Sequence, residues 1–239
     1  MKQNDVLPVD DETKFQSPNL HRRKFLTNLG LTAVAITGIT ACTKNENSAL
    51  SANSNDESKY GTHYNDVQIL NYAFLLEQLE AAFYIKVNDS FYSGATSWEK
   101  ARLEQIMKHE IAHREFFKTA LGGAAIPDME FNFSSIDFSN RMSVLGASKA
   151  FEDTGVSAYN GIAYAINSPD YLVVAGKIVS VEARHAAYIR DLIDPLSFAD
   201  SSVIDANGLD LAAKPYSVVQ TISPYLITTT ELKSFLNTL

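Results

Sequence analysis

From Asn65 onward, apolar residues return every three or four positions, the period of a helix that buries one face. The first stripe is Leu70, Ala73, Glu77, Glu80, Tyr84 and Val87. Asn65 and Gln68 have capping-box spacing, so a helix is expected from about Asp66 to Val87. Thr96 with Glu99 opens a second helix, with Leu103, Ile106, Glu110, His113, Phe117 and Ala120 on its stripe. Gly122-Gly123 stops it. A third stripe is Leu145, Ser148, Glu152, Gly155, Tyr159, Ile162 and Ile166. Its glycines, Gly155 and Gly161, weaken the intrinsic helix preference, so this helix must rely on packing. Ser168 as N-cap and Pro169 at the first helical position begin a fourth helix. It carries Tyr171, Ala175, Ile178, Glu182, His185, Ile189 and Leu192, and Pro195 ends it.

The connections decide the topology. Asp89–Gly94 and Ser168–Asp170 are short, whereas residues 127–140 are long for a link between helices and rich in turn formers. Four helices with one long crossover between the second and third predict an all-α bundle of ferritin-like connectivity over residues 65–195. Residues 196–239, with Pro215, Pro224 and anchors at Tyr216, Val219, Tyr225, Leu232 and Phe235, read as a C-terminal tail of irregular segments and short helices packed on the bundle.

Each stripe is interrupted by groups that do not belong in an apolar core. Glu110 with His113 and Glu182 with His185 are pairs three residues apart, the spacing that puts two side chains on one helix face. The pairs are separated by 72 positions. Glu77 lies 75 positions before Glu152, and each is followed seven residues later by a tyrosine, Tyr84 or Tyr159. This internal repeat makes Glu77, rather than Glu80, the counterpart of Glu152 and sets Glu80 opposite Gly155. At about 1.5 Å rise per residue, all four matched glutamates fall roughly 15–20 Å into their helices and meet at one level. Burying each charge costs several kcal/mol, carboxylates in one place repel, and no lysine or arginine lies on the stripes. Two divalent cations would resolve both costs.

Two single glutamates and two Glu-x-x-His pairs resemble the ligand set of ferritin-like di-iron or di-manganese proteins. The wording Leu76-Glu-Gln-Leu-Glu-Ala-Ala-Phe-Tyr84 and Phe151-Glu-Asp-Thr-Gly-Val-Ser-Ala-Tyr159 is similar to the bacterial ferritin-like branch that includes desiccation-related and rubrerythrin-type proteins. The resemblance implies two Fe or two Mn ions, with Glu77 and Glu152 as terminal ligands, Glu110 and Glu182 as bridges, and His113 and His185 as terminal nitrogen ligands. Glu80 is expected either as an alternative ligand in the space left by Gly155 or as an acceptor beside the ligands. Tyr84 and Tyr159 are expected to hydrogen-bond near the site. His109, Glu104 and Glu115 are expected to face solvent, and His63 to be incidental. The implied chemistry is a di-metal oxidoreductase (peroxidase, catalase-like or ferroxidase) acting on dioxygen, peroxide or ferrous iron. The alternative is a non-catalytic stress or desiccation-related protein stapled by its metals. Oxygen and nitrogen ligands of this mixture do not choose between iron and manganese.

Composition adds the setting. Hydrophobic residues at 46% and charged residues at 20% are ordinary for a globular chain, and the net charge of −8 argues against nucleic-acid binding. Residues 1–41 read as an address: His21-Arg22-Arg23-Lys24-Phe25-Leu26 before an apolar run resembles a twin-arginine signal. Ile39-Thr40-Ala41-Cys42 resembles a lipobox, and Cys42 is the sole cysteine. The expectation is an exported, membrane-anchored lipoprotein, lipidated at Cys42, facing the periplasm or cell exterior. Residues 42–64 would be a disordered tether. The oligomeric state stays open, with a homodimer as one option.

Overall fold

A computed structural model describes residues 64–239. The expected export signal, Cys42, the tether up to residue 63 and His63 lie outside the described residues. Four long helices form the bundle: α1 (Asp66–Asp89), α2 (Ser97–Leu121), α3 (Arg141–Ile162) and α4 (Pro169–Ile193). Two short ones follow in the tail, α5 (Pro215–Ile222) and α6 (Thr230–Leu236), and no strand occurs among the described residues.

The helix starts are built as their sequences dictate. Both capping boxes close reciprocally: the Asn65 and Thr96 side chains accept from the Gln68 and Glu99 backbone N–H groups, whose own side chains accept in return. Asn140 caps α3, and Ser168 caps α4 ahead of Pro169. Glu99 has a second role, accepting from the Arg141 guanidinium at 2.8 Å. Arg141 also donates to the Leu192 carbonyl at 3.1 Å. The start of α2, the start of α3 and the end of α4 therefore share one end of the bundle. At the other end, Asp66 of α1 accepts from the backbone N–H groups of Asn167 and Ser168 between α3 and α4. The long crossover thus runs the length of the bundle, as its number of residues allows.

Helix α1 departs from the single stripe expected of it. Phe74, Leu75, Leu76, Leu79 and Phe83 are buried along with the striped positions. A helix apolar all round is a central one, and here the crossover and tail cover the face that α2 and α3 leave open. Asn71 and Gln78 of α1 accept from the backbone N–H groups of Ile126 and Met129 at 2.7 Å each. Phe133 and Phe138 of the crossover pack on Phe83, with ring centroids 5.9 and 5.8 Å away. The crossover meets the tail where Asn132 N–H donates to the Tyr225 carbonyl at 2.8 Å.

The tail is fastened by two devices. Arg190, 1% exposed, donates to Asp153 and Asp200 at 2.7 Å and to the Ser197 carbonyl at 2.9 Å. Gly161 accounts for its own presence in α3: a Cβ there would stand 1.8 Å from the Ala213 carbonyl oxygen, so the tail backbone occupies the missing side chain's place. The packing that α3 needs to offset its glycines comes from that contact. Four striped or anchoring positions differ from expectation. Ile166 lies beyond α3, which tightens into a 3-10 turn at Ala163–Ala165. Leu121 is buried and Ala120 exposed, because four-residue steps from Phe117 carry the buried face on. In α5, Pro215, Val218 and Ile222 form the buried face, leaving Tyr216 exposed and Val219 half-buried.

Candidate metal centre

Glu77, Glu110, Glu152 and Glu182 lie near the middles of α1, α2, α3 and α4, and each is fully buried. His185 is 5% exposed and the His113 side chain 13%. The helices bring all six residues to one level. Their facing atoms fall into two groups of four, Glu77, Glu110, His113 and Glu182, and Glu110, Glu152, Glu182 and His185. In each group one ligand atom per residue lies within 4.8 Å of the others, so either could hold a metal ion. Glu110 and Glu182 belong to both.

His113 Nδ1 stands 2.7 Å from Glu182 Oε1 and 3.3 Å from Glu77 Oε2. His185 Nδ1 stands 2.8 Å from Glu110 Oε1 and 3.5 Å from Glu152 Oε2. None of these approaches has the angles of a hydrogen bond. Both histidine Nδ1 atoms, one oxygen each of Glu77 and Glu152, and both oxygens of Glu110 and Glu182 are buried without a hydrogen-bond partner. Buried polar atoms are rarely left so. Eight convergent unsatisfied atoms of metal-ligand type fit a pair of cations, which would satisfy them together.

The remaining oxygens of the outer glutamates are held from the opposite hairpin. Tyr84 of α1 donates to Glu152 Oε1 at 2.6 Å, and Tyr159 of α3 donates to Glu77 Oε1 at 2.5 Å. Each tyrosine fixes one carboxylate oxygen and leaves Oε2 directed at the centre. Burial and then the neighbouring carboxylate push both phenols well above their usual range, so they remain donors.

The carboxylates record the strain of sharing one dry space. Burial and the Glu182 charge push Glu110 up to about 8; burial, against the pull of His185, pushes Glu152 up to about 7. Glu77 is raised by burial and by Glu182. Burial would raise Glu182 as well, but His113 and His185 outweigh it and take it down to about 2. Burial opposes charging of the imidazoles. The surrounding glutamates reverse that, raising His185 and pushing His113 up to about 12.

Glu80 is a fifth carboxylate in this core, 3% exposed. Its Oε1 would be 2.9 Å from a Cβ at position 155, so it occupies the space that Gly155 leaves, where the internal repeat sets it. Burial, then repulsion from Glu182, Glu110, Glu152 and Glu77, raises it well above the usual carboxylate range. Glu104 and Glu115 are exposed and pair with Lys108 and Arg114, as expected of surface residues. His109 has a role beyond its expected exposure. Its ring is exposed as expected, but His109 Nδ1 sits 2.8 Å from His185 Nε2 with the rings nearly parallel. That contact fixes which nitrogen of His185 faces the carboxylates. The signal was available one step off the stripe: His109 lies one turn before His113, on the edge of α2 nearest α4.

The family model described as a ferritin-like domain matches residues 65–195, more than half of the chain. No curated protein matches its sequence.

Proposed function

The chain belongs to the ferritin-like domain family, and on that premise we propose that its buried cluster holds two iron or two manganese ions and works as an oxidoreductase centre on dioxygen, peroxide or ferrous iron. The observation that carries this reading is the set of eight unpartnered ligand atoms divided between two groups that share Glu110 and Glu182. Four carboxylates would neutralise two divalent ions, offsetting the burial and the repulsion that raise Glu77, Glu110 and Glu152. When bound, the metals would supply the electron transfer. The chain's own residues do the rest. Glu110 and Glu182, common to both groups, would be shared by the two ions, and Glu77 with His113 and Glu152 with His185 would each complete one half. Tyr84 and Tyr159 hold the outer carboxylates in place, and the apolar core above and below the glutamates excludes water.

The address at residues 1–41 and the single cysteine support an exported lipoprotein anchored through Cys42, with the acidic bundle held off the membrane surface. Metal analysis of the purified chain, followed by peroxide turnover and ferrous oxidation on the same samples, tests the function. Bound metal with turnover is the expected result. Metal that raises the melting temperature while leaving peroxide, dioxygen and ferrous iron untouched would favour the non-catalytic stapled protein.

A further inference from the structure

One exposed side chain touches the centre. His109 meets His185 with Nδ1 2.8 Å from Nε2, the rings 10° from parallel and their centroids 5.1 Å apart. A single contact thus joins solvent to a buried candidate ligand. The matching position in the other half of the repeat, Val181, has no polar group to do the same. Successive helix residues turn by about 100°. By that count Trp98 and Arg102, before His109, and Phe116, after it, share its face of α2. Trp98 is 75% exposed and Phe116 38%. Arg102 reaches the seam with α4: burial and then Glu99 raise the Tyr188 phenol there, and the Arg102 charge opposes them.

The charges here run against those of the chain, whose net charge is −8. Arg102 donates to the Gln105 amide oxygen at 2.8 Å and has no carboxylate partner among the described residues. On α4 the tail packs over Ala183 and Ala186, leaving Lys177 and Arg184 exposed on the side shared with α2. Arg184 donates to the Ser180 carbonyl of its own helix at 2.9 Å, and Lys177 has no ion-pair partner among the described residues. The exposed carboxylates Glu104 and Glu115 lie a third of a turn or more round α2 from His109 and are paired with Lys108 and Arg114. One carboxylate, Asp191, follows Arg184 by two turns and accepts the Leu196 N–H at 2.8 Å. Three cations against that one carboxylate, within about two turns of the His109–His185 contact, make a positive patch on an acidic protein. Exposed Trp and Arg side chains are the usual anchors of a protein interface.

We infer that this face docks a small acidic electron-carrier protein, which delivers electrons to the centre through His109 and His185. Carboxylates of the carrier meet Arg102, Lys177 and Arg184, and its apolar contact is Trp98. Each docking delivers one electron. Two electrons and two protons from solvent turn one peroxide into two waters, and two carriers are left oxidised. Electron delivery rests on the proposed metal reading; the docking face does not. Oxidised plant-type ferredoxin and flavodoxin, both acidic, serve as probes, titrated calorimetrically into the full chain with and without metal. Binding is weak, as in electron-transfer encounters, and fades as salt rises from about 20 to about 200 mM. Arg102→Glu/Arg184→Glu weakens it about tenfold or more. Lys118→Glu/Lys233→Glu, an equal change of net charge elsewhere, weakens it far less. All four positions are exposed, so the fold is left intact. In the iron-loaded chain, peroxide-dependent oxidation of reduced ferredoxin slows in the first variant and not in the second. No binding of either carrier, or equal weakening by the two double variants, overturns the inference. So does a dimer that Trp98→Ala dissolves, which would give the face to a second copy. Carrier binding in a chain that takes up no metal would sink the metal reading and keep the docking face; metal uptake and peroxide turnover without carrier binding would do the reverse.

Discussion

Replacing His109 by leucine removes one contact, the 2.8 Å approach of its Nδ1 to His185 Nε2. In the metal-bound reading, His185 uses Nδ1 as ligand and donates its Nε2–H to His109, which fixes the ring and its tautomer. Outer partners of this kind are worth about 10–100-fold in metal affinity. His109 is exposed, so water can take over part of its role in the variant. The lower end applies, about tenfold or ~1.4 kcal/mol. The loss should be confined to one ion. The internal repeat matches His109 to Val181, which cannot accept, so the other histidine ligand, His113, gains nothing comparable. Stepwise calorimetric titration with manganese should resolve two affinities in the parent chain. In His109→Leu the step assigned to His185 weakens about tenfold and the other stays put. His109→Gln, which retains an acceptor, restores most of the loss. Equal weakening of both steps, or an unchanged isotherm, refutes the reasoning.

Gly161→Ala would drive a Cβ to 1.8 Å from the Ala213 carbonyl oxygen, so the tail must move. Thermal unfolding should show a loss of about 1–3 kcal/mol, and an unchanged melting temperature would contradict the packing described. Gly155→Ala meets only the end of the Glu80 side chain, at 2.9 Å, so the carboxylate can rotate away. Metal affinity or the visible spectrum of a cobalt-loaded sample should change with little loss of stability, whereas an unaltered spectrum would place Glu80 away from the metals. The metal-free chain should also have an inverted pH profile. Glu110 and Glu152 are raised from 4.5 to about 8 and about 7, so the stability they contribute is complete below pH 4.5 and is lost as pH rises through those values. His113, raised from 6.5 to about 12, adds a loss of the same sign above pH 6.5. Glu182, lowered to about 2, contributes stability that is lost only as pH falls from 4.5 toward 2. Calorimetry should therefore find the metal-free melting temperature falling between pH 5 and 8 and the metal-dependent increment growing, since binding displaces protons. A metal-free chain that grows more stable across that interval would contradict the cluster's electrostatics.

The four long helices and their caps were legible because each is written locally: Asn65 with Gln68, Thr96 with Glu99, Ser168 before Pro169. The convergence of Glu77, Glu110, Glu152 and Glu182 was legible through the repeat, which fixes their common level. Glu80 against Gly155 followed from the same alignment. His109 was passed over, because its one mark, a place one turn before His113, lies off the stripe, where an exposed histidine reads as a surface residue. Gly161 could be seen as a weakness in α3, but its partner, Ala213, lies in a segment without periodicity. The all-round burial of α1 escaped the stripe for the same reason: what covers its far face is crossover and tail. Their placement comes from side chains such as Asn71, Gln78 and Arg190, which bond to distant backbone.

Metal stoichiometry in three chains tests the central claim most directly. After anaerobic loading with manganese or ferrous iron and removal of excess, the parent chain should retain two equivalents. Glu77→Ala, which removes a ligand from one group only, should retain about one. Glu110→Ala, which removes a residue common to both groups, should retain less than either. A parent chain holding under one equivalent, or a Glu110→Ala chain still holding two, would contradict the account.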